Sequence, residues 1–174
     1  MITPKVVRRF DLTKTTFIIP LRIETDDRMR NIITTLIYLT RNFDTKIIVK
    51  EVDKESVYLR DVKPLLEQAL EPKMLACIHH IFEQSDDFTF HRTKILNDML
   101  WMVDTPVVAN YDSDILLPLE SYINVVTIFL IRSSVSILSG IMNVVLVRSN
   151  LLTTLGVIII PPSYHSIDQM YHDF

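Results

Sequence analysis

Two aspartates one residue apart, Asp112 and Asp114, directly follow the run Val107 to Asn110, which reads as a short strand. In extended backbone, residues two apart project to the same side, so the two carboxylates are expected to converge at the strand end. Hard oxygens placed this way suit Mg2+ or Mn2+, which takes few protein ligands and fills its other positions with water and phosphate oxygens. A diphosphate is the natural co-ligand. The spacing alone decides little, because 14 aspartates among 174 residues make an Asp-x-Asp ordinary. A polar turn that caps the next segment is the plain alternative. Other chemistry-bearing residues point elsewhere. His79 and His80 are adjacent in an expected strand and face opposite sides, which is wrong for joint ligation of one metal and right for core or edge histidines. Cys77 is the single cysteine, so neither an intrachain disulfide nor a cysteine zinc site can form. Gly140 and Gly156 are the only glycines, which excludes a Walker loop, a dinucleotide fingerprint and a Gly-x-Ser-x-Gly elbow.

Elements able to position the acids are legible around them. Phe17, Ile18 and Ile19 make Thr15 to Pro20 a short buried strand that the proline stops. From Asp26 to Leu39, Met29, Ile32, Ile33, Leu36 and Ile37 recur at helical spacing, with Thr25 or Asp26 as cap. Lys46 to Glu51 reads as a second strand on Ile47, Ile48 and Val49, completing a β-α-β unit with parallel strands. A polar loop from Asp53 to Asp61 leads to one or two helical turns over Val62 to Ala69. Met74 to Phe82 reads as a third strand, followed by a solvated acidic turn with Glu83, Asp86 and Asp87. Arg92 to Val103 carries Ile95, Leu96, Met99, Leu100 and Val103 on one stripe, a helix ended by Thr105-Pro106, with Met99, Trp101 and Met102 expected in the core. Helices alternating with short strands indicate an α/β layer fold, in which ligands bind beyond the carboxyl ends of the strands.

Three ordered segments carry a resemblance. Phe17-Ile18-Ile19-Pro20-Leu21-Arg22 resembles the strand and Pro-Phe-Arg loop that opens the galactosyltransferase-type glycosyltransferases of the GT-A fold, with Leu21 in place of the usual aromatic. Phe90-His91-Arg92-Thr93-Lys94-Ile95-Leu96-Asn97 is similar to their Phe-Asn-Arg-Ala-Lys-Leu-Leu-Asn helix start. Asn110-Tyr111-Asp112-Ser113-Asp114 through Pro118 is similar to their Asp-x-Asp strand end. The resemblance covers roughly Thr15 to Tyr122. It implies a Rossmann-like sheet that binds a UDP-sugar, with Mn2+ or Mg2+ as cofactor. Pro20 and Arg22 would approach the nucleotide, Asp53 would accept bonds from uracil or ribose, Arg92 would meet the diphosphate, and Asp112 and Asp114 would hold the metal. The activity implied is inverting transfer of a sugar of galactose or N-acetylhexosamine type to a glycan or lipid-linked acceptor.

The rest of the chain departs from that pattern. Those enzymes continue to a Trp-Gly-x-Glu-Asp segment whose acid deprotonates the acceptor. Here Val157 to Pro162 follows Gly156 and holds no Glu-Asp pair, and a missing general base typically costs ~10² to 10⁴-fold in rate. The only later acids are Asp168 and Asp173, of which Asp168 is a substitute to consider; His165 and His172 receive no role. A noncatalytic nucleotide-binding or interaction module therefore stands beside the enzyme. Of 18 basic and 21 acidic residues only Arg132, Arg148, Asp168 and Asp173 lie beyond residue 122. This divides the chain into a nucleotide-sugar-binding half, 1–122, and a hydrophobic remainder, 123–174, of the same domain. The uncharged runs beside Arg148 are shorter than the ~20 residues of a spanning helix, so buried core or a membrane-facing surface is expected before insertion, with a membrane-associated structural protein as the third reading. Met1 to Leu12 has no secretory apolar region, so a cytoplasmic chain, at most peripheral to a membrane, is expected. The net charge of −3 offers no basic excess for nucleic acid.

Overall fold

The computed structural model describes residues 9–124, 145–148 and 154–158. Short contiguous apolar runs favour strands buried on both faces, and the sheet centre is built from them. Strand β1 (Phe10–Leu21) lies between β2 (Phe43–Asp53) and β4 (Val107–Asn110), with β3 (Ile78–Gln84) outside β2, and these four are parallel. Strand β6 (Thr154–Ile158) runs antiparallel to β4, and β5 (Val145–Arg148) antiparallel to β6. The order is β3-β2-β1-β4-β6-β5. The α/β class is the one expected, with helices on both faces of the parallel strands.

Helix α1 (Asp26–Asn42) joins β1 to β2 and buries Ile32, Leu36 and Leu39 against Phe17, Ile19, Ile47 and Val49. Thr25 caps it, its Oγ1 accepting from the Arg28 backbone N–H at 3.3 Å, and Asp26 and Asp27 complement the helix dipole. Thr25→Ala is expected to lower the unfolding free energy by about 0.5–2 kcal/mol in urea titration, and an unchanged midpoint would remove the cap from the list of stabilising contacts. Helix α4 (Arg92–Leu100) packs on the other face, with Ile95, Leu96, Met99 and Leu100 against Ile18, Ile48 and Val108. The change of face follows from topology. After building outward from β1 to β3 the chain must return past β1, and a crossover of the same hand running backward passes over the opposite face.

Several expected boundaries move, each for a physical reason. Pro20 does not stop β1, which continues to Leu21. The Ile18 carbonyl accepts from the Tyr111 N–H at 3.0 Å, and Pro20, two residues on, faces the same side, where β4 has already ended. Its missing N–H therefore breaks no ladder bond. Strand β2 starts at Phe43 and ends at Asp53, beyond the expected Lys46 to Glu51, and the charges within it find partners. Lys50 Nζ meets Glu83 Oε2 and Asp98 Oδ2, both at 2.7 Å. Burial favours loss of the Lys50 proton, but these two carboxylates outweigh it and hold the ammonium above its ordinary value. Glu83 is thus a strand residue in an ion pair rather than part of a solvated turn, and Asp87 meets His91 Nε2 at 2.9 Å. The helical turns near Val62 are a π-helical turn, Tyr58–Val62, running into α2 (Lys63–Ala69). Met74 to Phe82 divides into α3 (Pro72–Leu75) and β3. Met99 is in the core as expected, but α4 ends at Leu100, and Trp101 and Met102 are exposed. Among the described residues no helix is long and apolar enough to cross a membrane. Asp168 and most of the low-charge segment after Ile123 lie outside the described residues.

Candidate functional site

The strand order reverses at β1, since β2 and β3 lie to one side and β4 to the other. In open α/β sheets such a reversal leaves a crevice at the carboxyl ends of the two strands, and ligands bind there. Arg22 directly follows β1, Asp53 ends β2, and Asp112 and Asp114 follow β4, so all reach this end of the sheet.

The acids are not presented by extended backbone as expected. The Ile115 N–H donates to the Asp112 carbonyl at 3.4 Å, so Asp112 to Ile115 is a turn, and the strand alternation that would have converged the carboxylates ends at Asn110. The turn is held from beneath. Thr35 Oγ1 donates to the Ser113 carbonyl at 2.8 Å, and Tyr38 Oη donates to the Leu117 carbonyl at 2.7 Å. Tyr111 Oη donates to the Ile115 carbonyl at 2.5 Å, and Tyr122 Oη accepts from the Leu117 N–H at 3.1 Å. The two phenol oxygens lie 2.5 Å apart, which leaves Tyr122 as donor to Tyr111. Burial pushes both hydroxyls above their ordinary values, so they keep their protons and go on donating.

Arg92, the first residue of α4, meets this turn. Its Nη2 donates to Asp112 Oδ1 at 2.6 Å and to Asn110 Oδ1 at 3.2 Å. Both partners of the ion pair remain open to solvent, with side chains 44% and 45% exposed, so either can be drawn onto a ligand. Asp114 is exposed and has no hydrogen-bond or ionic partner among the described residues. Asp53 stands at the other side of β1, its Oδ1 accepting from the Lys54 N–H at 2.8 Å and its carbonyl from the Ser85 N–H at 2.9 Å. Arg22 is buried, and its donors go to backbone carbonyls of Val52, Asp87 and Phe88. The three resembling segments, far apart in sequence, therefore touch: Ile18 with Tyr111, Arg22 with the loop that precedes α4, and Arg92 with Asp112.

Among the described residues no group of three or more His, Cys, Asp or Glu side chains gathers as a metal cluster. His79 is exposed, while His80 is packed away, its ring stacked on Tyr58 at 3.9 Å between centroids and its Nε2 3.1 Å from Glu51 Oε2. Glu51 is fully buried at the crevice end of β2 and also accepts from Ser56 Oγ at 2.5 Å and the Tyr58 N–H at 3.0 Å. Burial alone would raise its pKa, but the bonds from His80, Ser56 and Tyr58 together hold it below the usual carboxylate range. Sequence reasoning passed over Glu51, Asn110 and the two tyrosines. A charge at the end of an apolar run was the one available sign of Glu51, and it reads equally as a strand terminus.

No protein-family profile matches the chain, and no curated protein matches it. Among solved structures it is similar to a mannosyltransferase from Pyrobaculum calidifontis in complex with GDP-Man and Mn2+, at 15% identity and a TM-score of 0.43, over 67% of this chain and 32% of that one. It is also similar to CMP:2-keto-3-deoxy-manno-octonic acid synthetase complexed with CTP, at 13% identity and a TM-score of 0.39, over 69% of this chain and 48% of that one. The chain thus spans less than half the length of either. The chain's own topology gives an α/β fold with four adjacent parallel strands and flanking helices. What the crevice can do is read from its own side chains.

Proposed function

We propose that the crevice binds a UDP-sugar together with a divalent cation, and that the protein transfers the sugar, with inversion, to a glycan or lipid-linked acceptor. The observation that carries this reading is the 2.6 Å contact between Arg92 and Asp112 at the strand-order reversal. An exposed ion pair is worth little in water, about 0–1 kcal/mol, so it is readily exchanged for stronger partners. A diphosphate oxygen would take the planar fork of Arg92, and a divalent cation would take the carboxylate it leaves.

Asp112 and Asp114 fit Mn2+ or Mg2+ by the chemistry of their donors: two hard carboxylates reached by solvent on one turn, of the kind whose ion completes its shell with water and phosphate oxygens. When bound, such an ion would neutralise part of the charge of the leaving diphosphate. Arg92 would donate to the same oxygens as negative charge grows on them, from a helix start fixed in advance. Asp53, at the end of β2, would accept from uracil or ribose, and Pro20 borders the gap that β4 leaves beside β1.

The second reading is a noncatalytic nucleotide-binding module, favoured by the absence of a Glu-Asp pair from Val157 to Pro162. Release of free UDP from a panel of UDP-sugars, with glycan and lipid-linked acceptors, separates the two. Transfer predicts acceptor-dependent release from one donor and its loss in Asp112→Asn. A protein that binds UDP but releases none from any donor is the module.

A further inference from the structure

Arg22 is a cationic side chain only 7% exposed, yet it meets no carboxylate among the described residues. Its Nε donates to the Val52 carbonyl at 2.9 Å, Nη1 to Phe88 at 3.0 Å and Nη2 to Asp87 at 3.0 Å. The guanidinium also lies over the Phe90 ring, 5.4 Å from its centroid. A guanidinium is a rigid flat fork with donors on three nitrogens, and here each nitrogen has a different carbonyl. One side chain thereby ties the end of β1 to the end of β2 and both to the loop that leads into α4. Arg92 begins that helix, and its own N–H donates to the Phe90 carbonyl at 2.8 Å. Arg22 and Arg92 thus bond to the same loop, Arg22 through the Asp87 and Phe88 carbonyls and Arg92 through the Phe90 carbonyl.

We propose that Arg22 is a positioning residue, which fixes the Asp87 to Phe90 loop so that Arg92 starts α4 facing Asp112, rather than a residue that touches the nucleotide. This departs from the nucleotide contact that the resemblance implied for it, and its ligand-binding arm rests on the crevice being a UDP site. A lysine keeps the charge but cannot hold three carbonyls in one plane, so charge and geometry are separable here.

The test combines Arg22→Met, Arg22→Lys and Arg92→Gln, with folding checked by circular dichroism and thermal melting. UDP is titrated calorimetrically in the presence of Mn2+. Arg22→Met and Arg22→Lys are both expected to weaken UDP binding about tenfold or more, the scale of a lost hydrogen bond to a charged group. The double variant Arg22→Met/Arg92→Gln is expected to bind no worse than Arg92→Gln alone, within about twofold, because both changes remove the same contact. Losses that multiply, retained affinity in Arg22→Lys, or wild-type affinity in a folded Arg22→Met would each overturn the proposal. A readout without nucleotide accompanies these. In the NMR spectrum of the ligand-free protein, Arg22→Met should shift the Asp112 amide and Arg92 side-chain signals while leaving the Val107 amide in place. Unchanged Arg92 and Asp112 signals overturn the proposal even if wild-type protein fails to bind UDP, a failure that counts against the proposed function alone. Should Arg22→Met not fold, Arg22→Lys carries both readouts.

Discussion

Glu51→Ala is expected to cost about 3–5 kcal/mol of folding free energy, the usual result of removing one member of a buried charged network. The carboxylate is fully buried and serves three donors: Ser56 Oγ, the Tyr58 N–H and His80 Nε2. Alanine leaves the Tyr58 N–H and the His80 ring, stacked on Tyr58, facing a cavity, against a total stability of about 5–15 kcal/mol for a domain. Because the folded carboxyl lies below its ordinary value, its contribution is complete above the unfolded pKa of about 4.3. It is lost as pH falls through the still lower folded pKa. Urea denaturation at pH 7 and in acid measures both effects. The wild type should lose stability on acidification more steeply than Glu51→Gln, and a cost below about 1 kcal/mol for Glu51→Ala would show that the network contributes only packing. The consequence reaches the crevice, since Glu51 anchors the segment that leaves the end of β2 two residues after the carboxylate.

Sequence periodicity located the two strands at the sheet centre because they are buried on both faces and read as unbroken apolar runs, Phe17-Ile18-Ile19 and Ile47-Ile48-Val49. Val107 to Asn110 was legible to the residue because a proline precedes it and a polar turn follows. The sequence placed Lys50 and Glu51 in β2, but not the ends of that strand, which starts at Phe43 and runs on through Val52 to Asp53. What residue types could not show is what matches the two charges, Asp98 on α4 for Lys50 and His80 on β3 for Glu51. The exposure of Trp101 was hidden for the converse reason, because helical spacing continues past the point where the backbone stops being helical. At the site, Arg22 and Asp112 each follow a parallel strand and Arg92 begins α4, which puts all three at one end of the sheet. Alternation in an extended strand wrongly described how the acids are presented, because hydrogen bonds from Thr35 and Tyr111 bend that segment into a turn. The inward direction of Arg22 was equally beyond reach, since its partners are backbone carbonyls that leave no trace in residue types.

The second large effect concerns the ion pair itself. Arg92→Gln removes the charged donor that would move from Asp112 to a diphosphate oxygen, and UDP affinity should fall about 10- to 100-fold, the range for a hydrogen bond to a charged group. The loss belongs to the diphosphate, so uridine, which lacks it, should bind the variant and the wild type alike. Asp112→Asn/Asp114→Asn acts on the other half of the exchange by removing the hard anionic oxygens a divalent cation requires. Both expectations meet in one calorimetric titration, UDP against wild type and the double aspartate variant, each with and without Mn2+. The wild type should bind UDP at least about tenfold more tightly with Mn2+, and the variant should bind it equally weakly in both conditions. Wild-type affinity that is indifferent to Mn2+, or a variant that keeps the Mn2+ enhancement, would contradict a shared cation and diphosphate site at the Asp112 turn.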